Sequence, residues 1–283
     1  MLHQILVPLD TKPETTAATR FAAAIARDVR DVLGKEAVTL FGLGIVDLDQ
    51  LPSGRFSSLV PRERILQEAR DQVRALMAEF SREGEKEGIS TGFVKTHFTE
   101  GTPFTAIMHH HVFSDLVVMG ERCCFPPVSV DYDTMANLYH GASRPILLTP
   151  DAWRPADTVV MVIDGTAPSS RMLYAYAHVN PFPKARIVLA HSRYEVDFHT
   201  LKDFFERVQG YLESFGFSVE QRQLDGHLIE QVPGLVRSVG AGTVAIGVHA
   251  EHFLDKIRNP LHLRPTGVQT LFVESGAALF TVH

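Results

Sequence analysis

Cysteine is almost absent from this 283-residue chain: there are two, Cys123 and Cys124, side by side. A disulfide framework needs several spaced cysteines, and adjacent ones close only a strained ring. The usage points to a reducing, intracellular compartment, so a cytoplasmic location is expected. Long apolar runs are missing too. None approaches the roughly 20 residues that cross a bilayer, so no membrane partner is expected. The opening residues, Met1 to Pro8, lack a basic segment ahead of an apolar one and do not read as a signal peptide. No extended Lys/Arg run occurs, and 27 basic against 33 acidic side chains leave a net charge of −6. That balance excludes a global attraction for nucleic acid. Several catalytic signatures are also lacking: the Gly-x4-Gly-Lys-(Ser/Thr) loop, the Gly-x-Ser-x-Gly elbow, the Cys-x2-Cys pair and the Ser-Gly-Gly-x-Asp-Ser pyrophosphatase loop. P-loop and serine-hydrolase chemistry are thus unsupported, and no catalytic residue can be named.

What is present is a repeat. Apolar residues make up 45% and charged residues 21%, enough for two globular cores in a chain of this length. Ile5-Leu6-Val7-Pro8-Leu9-Asp10 and Val159-Val160-Met161-Val162-Ile163-Asp164 are both short apolar runs ending in Asp. Such runs suit strands covered on both faces. Each is followed by a helical pattern: Thr15–Val32 in the first half, and Pro168–Val179, opened by Ser169 and Ser170, in the second. The spacing then predicts second strands at 37–45 and 185–190, long helices at 62–87 and 199–214, and third strands at 92–98 and 218–224. Third helices are predicted at 103–112 and 228–239, fourth strands at 115–120 and 243–247, and fifth strands at 145–148 and 268–273.

Strands alternating with helices imply a parallel sheet covered on both faces, wound by right-handed crossovers into a Rossmann-like layer. The fold class read here is α/β, with two tandem Rossmann-like domains of five parallel strands each. The pattern breaks near Pro150 to Pro155, which gives domains at 1–150 and 156–283. So short a linker predicts that the halves pack as an intramolecular pseudo-dimer, with a homodimer of the whole chain left open.

At this point the sequence resembles the universal stress protein family in its tandem two-domain form. The resemblance rests on the opening strand at Ile5–Asp10, on Gly101-Thr102-Pro103 followed by Asp115-Leu116-Val117-Val118-Met119-Gly120, and on Arg144-Pro145-Ile146-Leu147-Leu148. In the second half it rests on Ile163-Asp164-Gly165-Thr166 with Ser169-Ser170, and on Gly226 and Ile246-Gly247. It implies an adenine-nucleotide alpha-hydrolase-like fold and a stress-response role. The ATP-binding branch of the family holds phosphate on a Gly-x2-Gly-x9-Gly-(Ser/Thr) loop, where backbone N–H groups approach the anion without a Cβ in the way.

Carried onto this chain, the implied nucleotide positions are Pro8, Leu9 and Asp10 on the first strand, and Met119 and Gly120 on the fourth. Cys123, Asp133 and Thr134 follow in the loop, and Asp164 and Gly247 are the counterparts in the second half. Two of the three loop glycines are replaced, one by Cys123 and one by the anionic Asp133, and Pro126-Pro127 removes two donors. The second half has Ala250, Pro260 and Leu261 in the corresponding places. The expectation is a non-enzymatic stress-response protein without cofactor, poor at binding ATP, acting through a protein partner or a small ligand. The alternatives are an adenine-nucleotide switch in the first domain, using ATP with Mg²⁺ and at most weak ATPase activity, and a metal- or redox-responsive module.

Other clusters are weighed against plainer roles. His109-His110-His111 points its side chains about 100° apart on a helix and cannot make one ligand face. His249 and His252, near Glu251 and Asp255, have the spacing of a metal pair but no third fixed ligand. Asp47-x-Asp49 and Asp131-x-Asp133 have cation-site spacing, but turn capping explains most such pairs. Cys123-Cys124 reads as two small residues packing the loop. Gly42-x-Gly44 starts a dinucleotide fingerprint that nothing completes.

Overall fold

The computed structural model describes residues 2–12, 14–34, 38–51, 61–127, 132–134, 138, 141–151, 154, 156–192, 198–248 and 267–282. Contacts divide the chain into two compact units. One comprises 2–144 with 148–153, the other 154–283 with 145–147.

The N-terminal unit opens with β1 (Gln4–Leu9), α1 (Glu14–Leu33) and β2 (Thr39–Asp47). Next come α2 (Arg62–Lys86), β3 (Val94–Gly101), α3 (Pro103–His111) and β4 (Leu116–Gly120). Two short strands, β5 (Arg122–Cys123) and β6 (Tyr132–Asp133), are followed by β7 (Ile146–Thr149). The sheet order is β4-β1-β2-β3, all parallel. β7, whose last two residues belong to this unit, follows β4. The apolar runs make buried strands, as expected of a sheet covered on both faces: β1 from Ile5 onward and all of β4 are buried.

Helix α1 buries Ala18, Phe21, Ala22, Ile25, Ala26 and Val29, the three-and-four spacing of one helical face. Helix α2 buries Ala69, Val73, Phe80 and Gly84 on the same principle. Gly42 and Gly44 allow that contact. A Cβ on Gly42 would lie 2.7 Å from Phe80, and one on Gly44 2.6 Å from Val73. These glycines are packing positions under a helix, which accounts for the fingerprint that the sequence leaves incomplete.

The faces of the sheet follow from strand alternation. On β3, Phe98 packs with Val46, Ala69, Val73 and Met77 beneath α2, while the adjacent His97 meets His110 of α3. Successive strand residues point to opposite faces, so α2 and α3 cover opposite sides. Strand β3 runs three residues past its predicted end, through Gly101, pairing with β2 as far as Asp47.

The C-terminal unit contains β8 (Thr158–Val162), α4 (Ala167–Val179), β9 (Arg186–Ser192), α5 (Phe198–Ser214), β10 (Ser218–Leu224) and α6 (Leu228–Val239). It ends with β11 (Thr243–Gly247), α7 (Gly267–Ser275) and β12 (Ala278–Val282). Its order, β10-β9-β8-β11-β12, is parallel throughout.

Two expectations are corrected here. Helix α4 is capped by Thr166, whose side chain accepts from the Ser169 N–H; Ser169 and Ser170 already lie inside the helix, after Pro168. The run 268–273, predicted as the fifth strand, is helical, and the strand is Ala278–Val282. Short apolar runs do not declare their period, and burial here has the helical one: Leu271, Phe272 and Ser275 are buried while Val273 and Glu274 are exposed. Gly276, at φ +60°, ends the helix in a left-handed turn.

Candidate functional site

In an open α/β sheet, ligands bind beyond the carboxyl ends of the strands where the strand order reverses. In the N-terminal unit that point lies between β1 and β4. Strand β1 pairs with β2 as far as Leu9, but its ladder with β4 ends at Leu6. Pro8, which has no N–H, stands where the β4 ladder has already stopped.

Residues of the chain's own loop occupy this end. The Thr11 N–H and hydroxyl both donate to the Cys124 carbonyl, at 2.9 and 3.2 Å. The Asp47 N–H donates to the Pro126 carbonyl at 2.7 Å. β5 and β6 pair antiparallel, setting Arg122 opposite Asp133 and Cys123 opposite Tyr132. Phe125 is fully buried, with its ring 6.4 Å from both Phe104 of α3 and Tyr132. Phe104 and Tyr132 close the triangle edge-on at 5.4 Å.

The structure brings the first-half positions together but gives them internal partners. Asp10 is buried, and its Oδ1 accepts the Lys12 N–H at 2.6 Å, an Asx-type turn. The Thr134 hydroxyl donates to the Gly120 carbonyl at 2.7 Å, and its N–H donates to the Glu121 carbonyl. Pro8, Leu9 and Met119 are strand core. Cys123 and Cys124 are buried free thiols. Burial pushes the Cys123 thiol far above its ordinary pKa, with the Asp10 and Asp133 charges adding to the effect. A thiol held in this way is a poor nucleophile.

Asp47 and Tyr132 form a coupled acid–phenol pair. The Tyr132 hydroxyl donates to Asp47 Oδ2 at 2.6 Å and accepts from Gln50 Nε2 at 2.9 Å. Burial raises the Asp47 pKa, against the lowering effect of the Tyr132 hydrogen bond. Burial first, then the Asp47 contact, pushes the Tyr132 phenol up to about 12. The other Asp47 oxygen accepts the Asp49 N–H, so this Asp-x-Asp pair caps a turn. Its counterpart at Asp131, together with His249, His252, Ala250, Pro260 and Leu261, lies outside the described residues.

In the C-terminal unit, Asp164 accepts from both the N–H and the hydroxyl of Thr166, at 2.9 and 2.7 Å. Gly247 abuts the first turn of α4: a Cβ there would lie 2.2 Å from the Pro168 carbonyl and 2.4 Å from the Ser169 nitrogen. Its glycine is required by backbone packing. Asp164 and Gly247 are thus held by the turn and the helix that open the second repeat.

The aromatic triangle and the Asp47–Tyr132 bond escaped the sequence reading. Phe104, Phe125 and Tyr132 come from a helix and from two sides of a loop, and no periodicity links them. A second space also went unseen. A cavity of about 290 Å³ opens between α1 and α2, lined in part by Asp10, Lys12, Thr15, Phe80 and Glu83. The Thr15 hydroxyl oxygen is buried and has no hydrogen-bond partner among the described residues.

Comparison of the sequence finds no matching protein-family model and no matching curated protein. Comparison of the structure does find similar folds. A universal stress protein from Archaeoglobus fulgidus DSM 4304 aligns over 98% of this chain and 95% of its own, with TM-score 0.68 and 13% identity. A protein of Pseudomonas aeruginosa UCBPP-PA14, assigned as a universal stress protein, aligns over 99% and 93%, with TM-score 0.55 and 15% identity. The chain therefore carries the fold of the universal stress proteins in its tandem form, two Rossmann-like α/β units in one polypeptide.

Proposed function

We propose that this chain is a non-enzymatic stress-response protein that binds ATP poorly and acts through protein contacts or by holding a small ligand. The stress-response part rests on the fold likeness. The poor ATP binding rests on one observation: the fully buried Phe125, wedged between Phe104 and Tyr132, at the carboxyl end of the N-terminal sheet. ATP would have to displace that ring and break the bonds from Thr11 and Asp47 to the loop carbonyls. Replacement of a phosphate-cradle glycine by Asp133 adds charge repulsion.

For a small ligand, the space between α1 and α2 is the better receptacle, since it offers the Asp10 carboxylate, the Thr15 hydroxyl and an apolar wall at Phe80. The proposal keeps the cytoplasm as the location, since two adjacent cysteines suit a reducing compartment. No helix among the described residues is long and apolar enough to cross a membrane.

The test is isothermal titration calorimetry of nucleotide-stripped protein with ATP and Mg²⁺. The expected result is no binding tighter than about 100 μM, equivalent to about 5.5 kcal/mol. Tighter binding that Asp10→Ala abolishes would replace this reading with an adenine-nucleotide switch in the N-terminal unit.

A further inference from the structure

The α3 face of the N-terminal unit carries two imidazoles from different elements. His97 is exposed on β3 and His110 is half-buried on α3. Their ring centroids are 4.8 Å apart, with planes inclined at 48°. Phe41 of β2 stacks on both, at 6.3 and 5.5 Å, and so limits the orientations the two rings can take.

Hydrogen bonding separates this pair from its neighbour in the His-His-His run. His111 is buried with both ring nitrogens engaged: Nδ1 by the Met108 carbonyl at 2.6 Å, and Nε2 by Ser143 at 3.2 Å. It is a structural histidine that ties the end of α3 to the segment before β7. Among the described residues, no hydrogen bond or ion pair engages a ring nitrogen of His97 or His110.

We propose that His97 and His110 form a two-point chelate for a divalent transition cation of the Zn²⁺, Ni²⁺ or Cu²⁺ class, with water completing the coordination shell. A ligand nitrogen sits about 2.0–2.1 Å from such a metal, which puts an imidazole centroid about 3.2 Å from it. Two imidazoles in adjacent coordination positions then have centroids about 4.5–5.3 Å apart. The observed 4.8 Å falls inside that window. Neutral imidazole suits these metals better than Mg²⁺ or Ca²⁺, which prefer oxygen. His109, the preceding residue on α3, projects about 100° away and stands outside the pair. A site on a strand and a helix is also more rigid than one on a loop, which reduces the ordering cost of chelation.

Ni²⁺ is the probe, titrated by calorimetry into the wild type and into the His97→Gln, His110→Gln and His109→Gln variants. Circular dichroism and urea unfolding establish that each variant is folded. The expected result is that His97→Gln and His110→Gln each weaken the tightest Ni²⁺ site at least about tenfold, while His109→Gln leaves it unchanged. Absence of wild-type binding up to about 1 mM Ni²⁺ would overturn the chelate. So would retention of wild-type affinity in either His97→Gln or His110→Gln.

Discussion

The two units repeat one plan and finish the carboxyl end of the sheet in different ways. In the N-terminal unit the loop after β4 folds inward, so that Phe125 packs among aromatics and the Cys124 and Pro126 carbonyls take the N–H groups at the ends of β1 and β2. In the C-terminal unit Gly247, which ends β11, is pressed against the α4 backbone, and Asp164 beyond the first strand is committed to its own turn. One unit has this end filled by a buried ring, the other has a helix end packed against its glycine. The helix seams differ as well. α1 is bridged to α2 by Arg20–Glu83 and to its C-cap by Arg27–Glu87, whereas His178 of α4, stacked on Tyr174, packs on Phe215, just past α5, which also meets Tyr211. Gly247 and Thr134 both match the phosphate-loop pattern, and both also have an internal structural role, Gly247 against the α4 backbone and Thr134 in its bond to the Gly120 carbonyl.

Substitutions can break this comparison, beginning with the largest effect. Phe125→Ala removes a buried ring and is expected to cost about 3–5 kcal/mol in urea unfolding, while gaining measurable ATP affinity if filling is what closes the site. A stability loss with no gain in affinity would show that filling is not the barrier. Gly247→Ala forces a methyl group into the α4 backbone, which cannot yield as a side-chain tip can. About 3 kcal/mol is expected, the upper part of the overpacking range. A cost near zero, measured the same way, would mean that the helix end is free to retreat.

Tyr132→Phe leaves the buried Asp47 oxygen without its phenol donor and should cost about 1–3 kcal/mol. The pH dependence sharpens this. Asp47 has a folded pKa raised above its unfolded value, so its contribution is fully present below the ordinary carboxylate pKa and is lost as pH rises through the raised value. The wild type should lose stability over that window, and Asp47→Asn should show a flatter profile in the same urea series. The smallest effect is in the seams. Arg27→Ala, breaking a half-exposed ion pair, should cost less than about 1 kcal/mol and vanish in high salt, whereas Tyr174→Ala should cost the same at any salt.

Most of the fold was legible because it is written in periodicity. The buried strands β1, β4 and β11 and the amphipathic α1 and α2 follow from runs and spacings that leave little choice of period. The fifth strand was misplaced because 268–273 is short and β-branched, and only the burial of Leu271, Phe272 and Ser275 shows the helical turn. The candidate site was legible in its polar residues, since Asp10, Gly120 and Thr134 stand in a recognisable order. What surrounds them was not. Phe104, Phe125 and Tyr132 meet only in three dimensions, as do His97 and His110, and contact between residues distant in sequence leaves no local pattern.

The most direct test of the filled crevice is amide hydrogen exchange at Thr11 and Asp47, read residue by residue in the protein without nucleotide. If the loop is seated, both amides are bonded to its carbonyls and should be protected to the same degree as the amides inside β1 and β2. Exchange at the rate of an open surface loop would mean that the crevice stands empty, and would contradict the account.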